Sequence, residues 1–182
     1  MGQPTDAPSK TVTIRELWEQ TADLLDDRPA ARWLCEVATS TDGDEFLAAL
    51  GEPATARMVA HLDAMVARYR AGEPLQYVLG RWGFRHLDLA VDARVLIPRP
   101  ETELVAETAI ALATACGSPV TVADLGTGSG AIGLAMADEL PLAGTTVWIT
   151  DADADALDVA RANLAGIGRA AINVRVGHGS WF

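Results

Sequence analysis

Three glycines at alternating positions mark the stretch of this sequence whose residue types best fit a ligand site. Gly126, Gly128 and Gly130 follow a run of strand-forming residues and directly precede a run with helical character. Glycines at such a junction permit a tight turn and a close approach of backbone to ligand, and the helix N-terminus offers free N–H groups. In this strand–turn–helix context, the motif predicts a nucleotide-type ligand rather than a simple turn.

Two kinds of ligand fit the glycine spacing. A dinucleotide would use Gly126, Gly128 and Ala131, which satisfy its fingerprint. Asp124, at the end of the preceding strand, would repel a pyrophosphate and favour S-adenosylmethionine, which carries an ammonium and a cationic sulfur. Asp151 follows the next strand, 25 residues after Gly126, where it could hold the ribose of either ligand or cap the following helix. Asp124 is thus the residue that favours S-adenosylmethionine.

The elements that must position these residues alternate between strand and helix. Hydrophobic periodicity predicts strands over residues 120–124, 145–150 and 171–176, and helices over residues 101–116, 131–140 and 153–164. The βαβαβ order from residue 120 onward is typical of a parallel, doubly wound sheet. The fold class expected from this order is α/β.

The residues before this sheet divide into two segments. Helical spacing, with a capping box at Thr13 and Glu16, predicts a small helical bundle that ends at Gly72. Alternating apolar residues over 82–91, followed by 94–97, predict extended structure that could pair as a hairpin. We therefore expect a helical domain at residues 1–72, a β-hairpin linker at 73–99 and a partial α/β domain at 100–182.

Charge is unevenly distributed along the chain. The sequence has 14 basic and 25 acidic residues, and its net charge of −11 argues against the wrapping of bulk nucleic acid. Residues 68–99 nevertheless carry six arginines and three acids. These arginines, which include Arg81, Arg85 and Arg94, are either solvated surface charges or a docking strip for an acidic or RNA-associated partner.

Several features of the sequence indicate the cellular compartment of the protein. No run approaches the roughly 18 apolar residues of a membrane span, and residues 1–10 lack the pattern of a secretory signal. Cys35 and Cys116 lie in apolar helical patterns without metal-ligand spacing, which indicates two buried thiols rather than a disulfide or a metal site. We expect a soluble, cytoplasmic protein with no membrane partner and no metal.

Four motifs together give the sequence a specific resemblance. They are Glu73-Pro-Leu-Gln-Tyr-Val-Leu-Gly80, Gly83-Phe84, Val95-Leu-Ile-Pro-Arg-Pro-Glu-Thr-Glu103 and Asp124-Leu-Gly-Thr-Gly-Ser-Gly130. In this combination the chain closely resembles the N5-glutamine methyltransferases of peptide chain release factors. The stretch from Ile97 to Glu103 is the most specific part, because S-adenosylmethionine methyltransferases in general share the glycine loop. The resemblance implies the first half of a Rossmann-like methyltransferase sheet behind a helical N-terminal domain.

The resemblance also implies roles by position. Five residues of the loop would wrap the methionine and ribose part of S-adenosylmethionine: Gly126, Thr127, Gly128, Ser129 and Gly130. Asp151 would hold the ribose, and Trp181 would lie by the adenine, with Ser180 standing where the family commonly has an acid. Arg99 and Glu101 would line the substrate side of the crevice.

The family's catalytic motif is absent from these 182 residues. Asn-Pro-Pro-Tyr would hold the target amide against the methyl group, so that catalysis depends mainly on proximity and orientation. Asn163 and Asn173 have no prolines beside them, and no catalytic residue is assigned. The chain is therefore expected to be a truncated form that leaves the strand from Val120 with an unpaired edge.

The function implied by the resemblance is methylation of the glutamine side-chain amide in the Gly-Gly-Gln motif of class 1 peptide chain release factors. The N-terminal bundle and the arginines of residues 68–99 would recognise this partner, and no direct nucleic acid partner is expected. Two alternatives stay open: methylation of another amide or amine, including a DNA base, and a non-enzymatic fragment that binds a partner through its bundle or sheet edge.

Overall fold

The computed structural model describes residues 12–180 and divides the chain at Leu79 and Gly80 into two compact units. This division lies later than Gly72, where the sequence placed the end of the helical domain. The expected linker at residues 73–99 is shared between the units. Its first part forms a short helix of the first unit, and its hairpin is part of the second unit.

The first unit is built from five helices over its described residues, with one antiparallel β-bridge between Thr13 and Pro53. Its helices are α1 (Ile14–Leu25), α2 (Arg28–Thr39), α3 (Gly43–Ala49), α4 (Ala56–Arg70) and α5 (Leu75–Leu79). The capping box expected at the start of α1 is present, because Thr13 Oγ1 accepts from the Glu16 N–H at 3.2 Å and Glu16 Oε2 accepts from the Thr13 N–H at 2.9 Å. Reciprocal capping of this kind satisfies two backbone donors that a helix end otherwise leaves free.

The core of this unit lies between α1, α2 and α4. Its fully buried side chains include Ile14, Leu34, Phe46 and Leu62, which come from four different helices. The Trp18 ring meets Phe46 edge to face, with 5.8 Å between centroids. The helices are therefore held together by apolar burial, at roughly 25 cal/mol per Å² of apolar surface removed from water.

The second unit begins with a hairpin and continues into a parallel sheet. Its elements are β1 (Arg81–Phe84), β2 (Leu87–Ala90), α6 (Pro100–Cys116), β3 (Val120–Leu125), α7 (Ala131–Glu139), β4 (Thr145–Asp151), α8 (Ala154–Gly166), a 3₁₀ turn (Gly168–Asn173) and β5 (Val174–His178). The three later strands pair in parallel in the order β3-β4-β5. The expected α/β class and βαβαβ order are confirmed, and β3 forms one edge of this sheet.

The hairpin of β1 and β2 packs into the core of the second unit. Phe84 and Leu89 are buried in the same core cluster as Leu134 and Ile149. Residues 94–97, which alternation also made candidates for strand, form no strand. Only one face of the short hairpin is apolar, so burying it against the sheet core gives the hairpin a stability that two strands alone rarely reach.

The last strand also differs from its predicted bounds. The sequence placed a strand over 171–176, whereas residues 168–173 form a 3₁₀ turn and the strand runs from Val174 to His178. Asn173 ends that turn with its side-chain Nδ2 donating to the Leu142 carbonyl at 2.9 Å. Because Asn173 is fixed by this side-chain bond, strand pairing begins one residue later, at Val174 opposite Val147.

Helix α6 carries apolar residues on two sides. Ala106 and Ala113 are buried, and Ala113 packs with Met136 of α7. Leu104, Val105 and Leu112 are each more than half exposed. Small side chains on the buried side bring the helix close to the rest of the unit, while the larger ones face water.

The two cysteines have different environments. Cys35 is fully buried in the core of the first unit, as expected. Cys116 is exposed at the end of α6, so the expectation that both thiols are buried was wrong for this residue. The apolar pattern around Cys116 belongs to the exposed side of α6, which periodicity alone cannot distinguish from its buried side. None of the helices in residues 12–180 is long and apolar enough to span a membrane.

Candidate functional site

The carboxyl ends of β3, β4 and β5 lie side by side at one edge of the sheet. Register pairs Asp124 with Ile149, and Asp151 with His178, so both aspartates that the sequence singled out lie at this edge. The Gly179 N–H donates to the Asp151 carbonyl at 3.0 Å and extends the pairing past β5. Ligands of open α/β sheets bind outside the carboxyl ends of the strands, which makes this edge the candidate site.

The glycine loop leaves β3 in a conformation that favours glycine. Gly126, Gly128 and Gly130 have φ values of 74°, 54° and 86°. Side chains rarely tolerate this region of φ, so the three glycines are the residues that permit the turn. The N–H groups of Gly126 and Thr127 both donate to the Thr150 carbonyl at 2.9 Å, which fixes the loop to the end of β4.

Asp124 is bonded within the loop that it precedes. Its Oδ2 accepts from Thr127 Oγ1 at 2.6 Å and from the Gly133 N–H at 2.9 Å. A Cβ at Gly133 would overlap Ile149 and lie 3.1 Å from Asp124 Oδ2. Sequence reasoning missed Gly133, although a glycine in the first turn after the loop is a signal of close helix–strand packing. The Asp124 carboxylate therefore shapes the loop besides supplying negative charge at the site.

Asp151 also contacts the loop directly. Its Oδ2 accepts from the Gly128 N–H at 2.9 Å, and its Oδ1 accepts from the Asp153 N–H at 3.0 Å. The cap of α8 is Asp153, which accepts from the Asp155 N–H at 2.9 Å. The alternative in which Asp151 caps that helix therefore does not apply, and its carboxylate instead bonds the loop at Gly128 and the segment after β4 at Asp153.

The other predicted site residues are less closely connected. Thr127 and Ser129 are buried within the loop. Arg99 is the N-cap residue of α6 and Glu101 lies in its first turn; both are exposed, and over residues 12–180 neither makes a hydrogen bond or ion pair with the loop. Trp181 lies outside the described residues. Among the predicted site residues, Asp151 is hydrogen-bonded to the loop. Within residues 12–180, Arg99 and Glu101 bond neither the loop nor Asp151.

The arginines around the hairpin are engaged within their own unit. Arg85 Nη2 donates to Glu139 Oε2 at 2.7 Å, its Nε also bonds that carboxylate, and Glu103 Oε1 accepts from the Arg85 backbone N–H at 3.0 Å. Hydrogen bonding between the pair raises the pKa of Arg85 and lowers that of Glu139. Arg81 meets Asp88 at 3.3 Å, and Arg94 pairs with its neighbour Asp92.

These pairings revise the docking-strip interpretation. The side chain of Arg85 is only 17% exposed, compared with 46% for Arg94. Arg85 therefore stabilises the turn of the hairpin and is not a solvated surface charge. Sequence reasoning did not separate Arg85 from the other arginines because its partners, Glu103 and Glu139, lie far along the chain.

Comparisons with known proteins agree with the resemblance seen in the sequence. Residues 17–80 match the family model described as PrmC N-terminal domain, and residues 104–179 match the methyltransferase small domain. A release factor glutamine methyltransferase from Gloeobacter violaceus is 40% identical over 154 residues, covering 82% of this chain and 51% of that protein. One from Burkholderia pseudomallei is 40% identical over 159 residues, covering 87% of this chain and 53% of that protein.

A third relative is more similar over a shorter stretch. The release factor glutamine methyltransferase of Chlorobaculum tepidum is 50% identical over 97 residues, which is 50% of this chain and 32% of that protein. The chain spans about half the length of these two relatives, from Gloeobacter violaceus and Burkholderia pseudomallei. The resemblance to this family, indicated by the motifs of the sequence, is confirmed over both units.

Proposed function

Because both units match release factor glutamine methyltransferases, we propose that a protein carrying this chain methylates a release factor. The acceptor would be the glutamine side-chain amide of the Gly-Gly-Gln motif in class 1 peptide chain release factors. The observation that carries the proposal is the combination of the two family matches with the glycine loop at the carboxyl edge of the sheet. The acidic chain, of net charge −11, is poorly suited to a DNA substrate.

The residues at the sheet edge fit S-adenosylmethionine. Gly126 is exposed and Gly128 is half-buried, and a Cβ at Gly128 would meet no atom within 4 Å, which leaves room for a ligand against the backbone there. Asp124 and Asp151 give the edge a negative character that suits an ammonium and a sulfonium better than a pyrophosphate. When bound, S-adenosylmethionine supplies the electrophilic methyl group. We assign its binding to the loop and to Asp151, with Trp181 by the adenine.

The chain's own residues would bind and orient the donor rather than activate the acceptor. Asp124 holds Thr127 and Gly133 in place, and Asp151 holds Gly128, so the loop is preorganised before a ligand arrives. The Asn-Pro-Pro-Tyr motif that the resemblance assigns to the acceptor amide does not occur in these residues. Correct positioning is worth at most about 7–11 kcal/mol of a reaction barrier. We therefore expect the 182 residues alone to bind the donor and to transfer no methyl group.

Methyl transfer from radiolabelled S-adenosylmethionine tests the proposal. The samples are the 182-residue chain and a chimaera that joins it to the remaining half of the Burkholderia pseudomallei relative. The acceptor is purified class 1 release factor, with a variant whose motif glutamine is replaced by asparagine as its control. We expect label from the chimaera only, and only on the glutamine form. Transfer by the chimaera to DNA or to the asparagine form, with none to the glutamine form, would contradict the proposal.

A further inference from the structure

A buried asparagine of α8 contacts the glycine loop. Asn163 is 6% exposed, and its side-chain amide makes three hydrogen bonds. Its Oδ1 accepts from the Ala90 N–H at 2.7 Å, and its Nδ2 donates to the Ala90 carbonyl at 3.0 Å and to the Ser129 carbonyl at 2.8 Å. An amide side chain has two N–H donors, so both are used here.

These bonds join three segments that are distant in the sequence. Ala90 is the last residue of β2, Ser129 lies within the glycine loop, and Asn163 belongs to the helix that follows β4. The asparagine pairs with both backbone groups of Ala90, as a neighbouring strand would, and uses its remaining donor on the loop. Removing such a side chain leaves buried backbone groups without partners, which is costly in a protein interior.

The end of the loop is also closely packed. A Cβ at Gly130 would lie 2.8 Å from Leu134 Cδ1 of α7, closer than real Cβ atoms come, and 3.6 Å from the Ala160 Cβ of α8, which is an ordinary van der Waals distance. The bond from Asn163 to the Ser129 carbonyl is therefore what α8 adds to the restraint of this part of the loop.

We propose that Asn163 is a positioning residue that holds the glycine loop in the conformation that binds S-adenosylmethionine. This inference rests on the proposed function, because it assigns the loop to that donor. Asn163 acts through the Ser129 carbonyl on one side and through Ala90 on the other. It contributes to donor binding by reducing the freedom that the loop would lose when the ligand binds.

The same side chain couples the donor loop to the substrate side. The Ala90 backbone leads into Val91, whose N–H donates to the Gly80 carbonyl at 3.1 Å and closes the hairpin. The chain then continues to Arg99 and Glu101, which the resemblance places beside the acceptor. Asn163 therefore ties the donor loop to the hairpin from which the acceptor-side segment starts.

The test compares Asn163→Asp with two matched variants of the 182-residue chain. The aspartate keeps the size of the side chain and removes both N–H donors. Asn173→Asp makes the same chemical change at a residue whose side chain, within residues 12–180, bonds only the Leu142 carbonyl. Leu140→Ala lowers the stability of the second unit by truncating a side chain in a different apolar cluster, the one that contains Ala113 and Met136. It therefore controls for a general loss of stability. Affinity for S-adenosylhomocysteine is measured by calorimetry below the melting temperature of every variant, and hydrogen exchange is followed at the Gly128 and Gly130 amides.

We expect Asn163→Asp to weaken S-adenosylhomocysteine binding at least about tenfold and to speed exchange at Gly128 and Gly130 by a similar factor. Both control variants should keep the parent affinity. Binding by Asn163→Asp within about twofold of the parent overturns the inference and leaves the proposed function intact. If the parent itself binds no S-adenosylhomocysteine, that result counts against the proposed function. In that case hydrogen exchange tests the role given to Asn163. Unchanged exchange rates at the Gly128 and Gly130 amides of Asn163→Asp would overturn that role.

Discussion

Replacement of Asp151 by alanine should weaken donor binding through two contacts at once. The carboxylate accepts from the Gly128 N–H at 2.9 Å, and in the proposed complex it also accepts from the ribose. A hydrogen bond to a charged group contributes about 1.5–3 kcal/mol. Because about 1.4 kcal/mol corresponds to a tenfold change in Kd, the loss of the ribose contact alone predicts a Kd raised about tenfold to a hundredfold. The freed Gly128 amide adds to this effect.

Calorimetric titration with S-adenosylhomocysteine measures this change, and Asp153→Ala provides the matched control. Asp153 lies two residues away and caps α8, so its loss should cost about 0.5–2 kcal/mol of stability without altering the site. Asp151→Asn retains one acceptor oxygen, and its Kd should lie between those of the parent and the alanine variant. An Asp151→Ala variant that is folded and binds with parental affinity would refute the assignment of Asp151 to the ribose.

Three further predictions concern the rest of the chain. Arg85→Ala should lower the melting temperature of the second unit clearly more than Arg94→Ala, because Arg85 is the less exposed of the two; equal effects would contradict the role given to the Arg85 pairing. Hydrogen bonding to Arg85 holds the pKa of Glu139 in the folded chain below its ordinary value of 4.5. The pair of Glu139 and Arg85 therefore stabilises the fold fully above pH 4.5, and this stabilisation is lost as the pH falls through the lowered pKa. Glu139→Gln should therefore be less stable than the parent at pH 7 and lose less stability on acidification, as urea titrations at several pH values would show. Burial raises the pKa of Cys35 to about 12, so iodoacetamide should label Cys116 and spare Cys35 in the native chain; modification of both, read by mass spectrometry, would contradict the burial.

The parts of the fold that depend on local sequence were predictable. The capping box at Thr13 and the glycine turn after β3 are encoded by residues a few positions apart, and both occur where the sequence placed them. Alternation of strand and helix gave the parallel order, because crossover connections leave few other arrangements. The position of Asp151 beside the loop follows from strand order, since it places consecutive carboxyl ends together, whereas its bond to the Gly128 N–H was not predicted.

Features that depend on distant partners were not predictable. The role of Arg85 requires Glu139, which is 54 positions away, and that of Asn163 requires Ala90, 73 positions away. No periodicity or spacing indicates such pairs, because the long-range hydrogen bonds of these side chains depend on tertiary packing. The start of β5 was misplaced for a related reason. Apolar residues before Val174 suit a strand, but the turn there is fixed by the bond of Asn173 to Leu142.

The exposed side of α6 makes the solubility of this chain depend on ionic strength. Leu104, Val105 and Leu112 present apolar surface to water, and surface of this kind promotes association between copies. A net charge of −11 opposes that association through long-range repulsion. The Debye length shrinks from about 10 Å at 0.1 M salt to about 3 Å at 1 M, so added salt weakens the repulsion while leaving the apolar attraction in place. Low ionic strength is therefore the condition in which the chain resists precipitation.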